Sequence, residues 1–410
     1  MKKTYLFMGL AVLLWGTSTV VGQGIFGIAP CVPLCNPCEP VACDPCEPVC
    51  DPCDPCGNGN SGGNGSGGLF SPFTFGGWVE SGVYTNSHGK RDNGPVHLAN
   101  KRRNDFQMKQ LYLFGEKEMN TRRGFDWGGR VDLAYGTDYK LMQTLDGTFD
   151  SDWGVNRSGY GMAAYQLFGT LGYQDLSVKF GKFATPIGWE AVASKDNFFY
   201  SHSLCFTIEP TSHTGIFGTF DVSDRLSISA GWTTGLDSSF KNPDDNSAML
   251  AGVTYLLSDY ATLYYWINAG KQYNGKTTLH DDFFIQSLCF EWVLTNRFTY
   301  VLQYNLRNDN AQGGGARNSA YGINNHLLYK LTDKLSAGTR VEWLRDNMGA
   351  IDPDASDYGQ VTFGLRWDPT EFLSIRPEVR YDWCRGGATP FADGTKKDQA
   401  SGGFGMVVSF

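Results

Sequence analysis

LSVKFGKFATPIGWEAVASKDNFFYSHSLCFTIEPTSHTGIFGTFD, residues 176–221, sets the reading of the whole chain. Leu176, Val178 and Phe180 alternate with Ser177, Lys179 and Gly181, the period of a strand with one apolar and one polar face. The alternation stops at Thr185-Pro186-Ile187-Gly188 and resumes at Thr214-Gly215-Ile216-Phe217-Gly218-Thr219-Phe220. Between them, residues 186–211 form a long loop with an aromatic core, Asn197-Phe198-Phe199-Tyr200-Ser201-His202, and charges at Glu190, Lys195, Asp196 and Glu209. A loop of that length in an ordered domain is functional or disordered, and its aromatic content argues that it packs against something. The expectation is that it folds into the lumen of a membrane-spanning barrel.

The run Gly181-Lys182-Phe183, Thr185-Pro186-Ile187-Gly188, Asn197-Phe198-Phe199-Tyr200-Ser201 and Thr214-Gly215 resembles outer-membrane β-barrel porins of the porin-2, OmpL-like family. The resemblance spans roughly residues 73–410 and is most specific in this segment. It implies a porin-like barrel in an outer membrane and brings no residue-level mechanism with it.

Composition allows such a barrel without demanding it. Of 410 residues, 51 are glycine, 14% are aromatic and only 19% are charged. Lipid-facing apolar residues alternating with lumen-facing polar ones produce that mixture, but a soluble all-β sandwich or propeller shares it. The net charge of -8 argues against a nucleic-acid partner.

The N-terminal region reads as three segments. Residues 1–22, with Lys2-Lys3, a short apolar run and small residues, are expected to be a secretory signal. Residues 23–56 carry Cys31, Cys35, Cys38, Cys43, Cys46, Cys50, Cys53 and Cys56 among prolines. In a secreted segment closely spaced cysteines form disulfides, here a cross-linked periplasmic arm. Zinc is the sharper alternative, through pairs such as Cys43/Cys46 and Cys53/Cys56. Residues 57–70 are a Gly/Asn/Ser linker. Its glycines lack the flanking strand and helix of a nucleotide loop, and no cofactor is expected.

Residues 71–410 are expected to form the barrel, with about sixteen antiparallel strands. The clearest dyads are Phe125 to Tyr135, Leu226 to Trp232, Phe298 to Tyr304, Leu335 to Trp343 and Val361 to Trp367. The second strand is ambiguous, because Leu111 and Leu113 fall on the face opposite Phe106, Met108 and Phe114. Short connections, such as 174–175, 258–259 and 368–370, alternate with long ones such as 137–159 and 186–211. Outer-membrane barrels have this asymmetry, with tight periplasmic turns and long outer loops. The last strand ends at Phe410, resembling the terminal signal of such barrels.

With the apolar set facing lipid, Arg130, Lys179, Arg340, Arg366, Arg376 and Arg380 point inward, opposed by Asp132, Glu291, Glu342 and Glu378. Glu190, Lys195, Asp196 and Glu209 on the inserted loop would narrow the pore, and acids facing wall arginines would set a transverse field. The alternative is that these charges pair with one another. The expected activity is passive diffusion of small hydrophilic solutes and ions through outer-membrane lipid. The resemblance to general porins brings a homo-trimer as an expectation. Two rival functions remain: a structural barrel anchored through its cysteine arm, and a barrel hydrolase using Ser201, His202, Asp196 or His213. The histidines show no metal spacing.

Overall fold

The period-two segments become sixteen strands: β1 (Thr74–Asn86), β2 (Gln107–Lys117), β3 (Phe125–Gly136), β4 (Gly161–Tyr173), β5 (Leu176–Ala184), β6 (Ser212–Ser223), β7 (Leu226–Thr233) and β8 (Ser247–Ser258). They continue as β9 (Ala261–Tyr273), β10 (His280–Val293), β11 (Phe298–Asn310), β12 (Asn318–Lys330), β13 (Leu335–Asp346), β14 (Ser356–Thr370), β15 (Leu373–Gly386) and β16 (Asp398–Ser409). The computed structural model describes residues 73–98, 100–145, 147–242, 245–273, 280–310 and 318–410. The signal, the cysteine arm with Cys31 to Cys56, and the linker lie outside the described residues.

Each strand pairs antiparallel with its sequence neighbours, and β1 pairs with β16 to close the barrel. At the seam Gly77 and Phe410 exchange backbone hydrogen bonds, each 2.9 Å long. Closure leaves no unpaired strand edge, which hydrocarbon would not tolerate. No helix of the described residues is long and apolar enough to cross a membrane.

The faces fall as the dyads require. Phe125, Trp127, Val131 and Leu133 are exposed on the outer wall, while Asp132 between them is fully buried. Trp127 and Trp367 lie near the short turns, and Trp232 and Trp343 near the long connections, all on the outer surface. These positions suit two interfacial girdles.

The ambiguity of β2 has a structural cause. Glu80 of β1 faces Gln110 and Ser81 faces Met108, so Lys109 is an extra residue in a β-bulge. A second bulge in β4 inserts Tyr165, since Asp132 faces Gln166 and Leu133 faces Ala164. Lys109, Gln110 and Tyr165 are all buried. One further boundary differs from expectation: β14 runs on through residues 368–370 with a register shift after Trp367, and the turn is 371–372.

Candidate functional site in the barrel lumen

The connection 185–211, between β5 and β6, lies inside the barrel and is called the lumen loop below. Its base is closed by a hydrogen bond from Thr185 N to Thr211 O at 3.1 Å. Asn197 braces it by accepting from Ala191 N at 2.9 Å and donating to Ala191 O at 2.6 Å. Two short 3₁₀ turns, Ser194–Asp196 and Cys205–Ile208, are its only regular structure.

Glycines on the inner wall make room for the loop's rings. A Cβ at Gly338 would stand 2.4 Å from the Phe198 ring, one at Gly364 3.0 Å from Phe199, and one at Gly405 2.2 Å from Tyr200. Phe198, Phe199 and Tyr200 are correspondingly buried against β13, β14 and β16.

A loop with so little regular structure has backbone groups that need partners, and the charged wall residues supply them. Arg340 donates to Ser201 O at 2.7 Å and His202 O at 3.0 Å. Arg376 donates to Ser194 O, Asn197 O and Phe199 O at 2.6, 3.0 and 3.3 Å, and also pairs with Glu80. Arg380 reaches His202 O at 2.8 Å, and Lys109 reaches Tyr200 O at 3.2 Å. Carboxylates take the amides: Glu378 accepts from Tyr200 N at 2.9 Å and Glu342 from Leu204 N at 2.7 Å. The two bulges join in, because Lys109 and Tyr165 both bind loop carbonyls, Tyr165 through Thr211 O at 3.0 Å.

The loop charges fall into distinct environments. Glu190 pairs with Arg340 at 2.7 Å and with His202 at 3.3 Å. Burial pushes its carboxyl up, but Arg340 and His202 pull it further the other way, leaving it below the usual carboxylate range. Lys195 and Asp196 pair with each other at 2.8 Å. Glu209 lies on the β11 side, held by the amides of Gln303 and Asn305. Burial pushes its carboxyl well up, and the amides offset only part of that.

Among the expected wall cations, Arg130 pairs with Glu116 and Asp132, both at 2.7 Å. Arg366 pairs with Asp368 at 3.1 Å and reaches Asn197 O at 3.2 Å. Arg380 is gripped by Asp382 at 2.7 Å. Lys179 lies over the Phe168 ring at 4.5 Å. Of the loop acids, then, only Glu190 is paired directly with a wall arginine; Arg130, Arg366 and Arg380 are closed against wall carboxylates, Glu209 rests on side-chain amides and Lys179 on an aromatic ring.

The hydroxyl and imidazoles of the hydrolase reading each turn to a different partner. Ser201 accepts from Arg340, His202 turns to Glu190, and His213 to Thr185 at 3.0 Å. No hydrogen bond among the described residues joins Ser201 to either histidine. Sequence reasoning missed Glu80, Lys109, Gln110, Gln303 and Asn305. The adjacent long polar residues Lys109-Gln110 in a strand were the available signal of a bulge.

The sequence profile of the family described as "Putative beta-barrel porin-2, OmpL-like" matches residues 72–410. Solved structures share the fold at low identity. The anion-selective porin from Comamonas acidovorans matches at TM-score 0.55 and 12% identity, covering 82% of this chain and 99% of its own. The outer membrane channel DcaP of Acinetobacter baumannii gives 0.54 and 11%, covering 82% and 97%. The trimer form of OmpT from Vibrio cholerae gives 0.52 and 13%, covering 82% and 99%. No curated protein matches the chain.

Proposed function

This chain belongs to the porin-2, OmpL-like family of β-barrel porins, and from that membership we infer that it is an outer-membrane channel for passive diffusion of small hydrophilic solutes and ions. The observation that carries the reading is a closed sixteen-strand barrel with a long connection folded into its lumen. A barrel of that size is wide enough for an aqueous passage, and the lumen loop narrows it. Glu190, Lys195, Asp196 and Glu209 shape the constriction, with Arg340 and Arg376 holding the loop and Lys179, Arg130 and Arg366 lining the approach.

Two finer points belong to this reading. A homo-trimer is supported by the trimer form of OmpT. Outward Gly115, Gly129 and Gly169 floor a groove of about 760 Å³ on β1–β5, where small residues would let a neighbour's wall approach closely. The cysteine-rich arm lies in the periplasm, on the short-turn side where β1 begins, and cross-links through its thiols; non-reducing gels of the full chain test this.

One observation favours a second reading, a barrel closed at rest. Val96, Ile351 and Phe391, from three outer connections, pack with Leu204 and Ile208 of the lumen loop. Planar-bilayer recording of the refolded protein separates the two. Stepwise channels at low voltage are expected. A barrel that inserts and stays silent would overturn the open-channel reading in favour of a structural one.

A further inference from the structure

The outer wall over β11–β15 carries a trough. Small outward side chains, Ala337 and Thr339 of β13, lie between Leu327 and Tyr329 of β12 and Phe363 and Leu365 of β14, in aligned cross-strand rows. The trough has a volume of about 620 Å³ and extends to β11 and β15, within the range of roughly 300–1,000 Å³ that holds a whole small ligand. Its floor includes the backbone of Gly338 and Gly364, backed on the lumen side by the Phe198 and Phe199 rings. The floor therefore cannot relax inward.

The trough lies at the short-turn end of the barrel. A single outward row, Leu335 beside Trp367, separates it from the turns. There Arg297 and Lys334 are exposed, and neither is in an ion pair with a described residue. Lys334 Nζ rests on Pro369 O at 2.8 Å. Elsewhere on this rim Arg225 is paired with Asp259 at 3.3 Å. Asp333 is the acid next to Lys334 in sequence, and Glu291, on the inner face, the one nearest Arg297.

Inside hydrocarbon an acyl chain gains nothing hydrophobic by leaving its neighbours for a protein trough. Selection must come from shape and from headgroup charge. We propose that this trough is a binding site for one anionic glycerophospholipid of the periplasmic leaflet, its acyl chain along Ala337 and Thr339 and its phosphate on Arg297 and Lys334. The proposal rests on the barrel being embedded in the outer membrane, and goes beyond its channel activity.

The test is native mass spectrometry of the full chain, reconstituted in bilayers of equal phosphatidylglycerol and phosphatidylcholine and then gently extracted. Wild type should retain phosphatidylglycerol over phosphatidylcholine by about tenfold. Arg297→Gln with Lys334→Gln should abolish the preference while heat-dependent gel mobility is kept. Ala337→Trp, which fills the trough, should remove the retained lipid. Equal retention of both lipids by wild type, or a preference that survives the double substitution, overturns the proposal alone. Failure to insert into either bilayer overturns it together with the membrane reading.

Discussion

Arg340 joins the barrel wall to the lumen loop. Its two terminal nitrogens donate to Glu190, to Ser201 O and Oγ and to His202 O, and its Nε lies 3.0 Å from a Glu342 oxygen as an ion pair, so one side chain engages two carboxylates and the loop backbone. Replacing it with Ala leaves Glu190 buried without its arginine, with only His202 and the Ser203 amide beside it, and breaking a buried pair from one side costs about 3–5 kcal/mol. Denaturant unfolding of Arg340→Ala should show a loss of that order; a loss below about 1 kcal/mol would mean that water takes over the contacts. Glu190 makes a pH-dependent contribution of definite sign. Its folded pKa lies below the ordinary value of about 4.3, so between the two the unfolded chain binds more protons and stability rises with pH. The contribution is complete above the ordinary value and is lost as pH falls through the folded one. The stability difference between wild type and Glu190→Gln should therefore grow from strongly acidic pH and level off above about pH 5. The substitution also relieves Glu209, whose raised carboxyl is pushed partly by Glu190, so the difference reports Glu190 together with that coupling. A flat difference would refute the assignment.

At the scale of elements, the lumen loop and the wall depend on each other. Wall arginines bind loop carbonyls, wall glutamates bind loop amides, and inner-wall glycines receive loop rings. Replacing 186–211 by a short turn should raise single-channel conductance severalfold while lowering thermal stability, because Arg340, Arg376 and Glu378 lose their partners inside the barrel. Unchanged conductance would place the narrowest point elsewhere, with the outer connections around Phe391 the next place to look. The bulges belong to this same scale. Each adds one inward side chain where a regular strand would point it at lipid, and each of those side chains ends on a loop carbonyl. A strict two-residue period cannot describe such a strand, which is why β2 resisted a single register.

For the whole molecule, the pairing of lumen charges bears on selectivity. An acid-versus-arginine field across open water would bias ion flow strongly. Here Arg130, Arg366 and Arg380 each have a carboxylate within 3.1 Å, so the channel's reversal potential under a salt gradient should lie close to zero. A strongly anion-selective potential would show that some of these pairs open in the conducting state.

Much of this architecture could be read from the chain alone. The strand faces, the alternation of short and long connections and the presence of a loop for the lumen follow from local patterns, because away from a bulge a strand's inward or outward face follows residue parity. The inward placement of Arg130, Lys179, Arg340, Arg366, Arg376 and Arg380 followed from the same rule. What those side chains touch did not. Arg376 meets Glu80 across 296 residues of sequence, and Glu378 meets the Tyr200 amide across 178. Only closure of the barrel brings such groups together. Parity places a charge on the inner face; the path of one irregular loop through the lumen decides whether it faces water, a carboxylate or a backbone carbonyl.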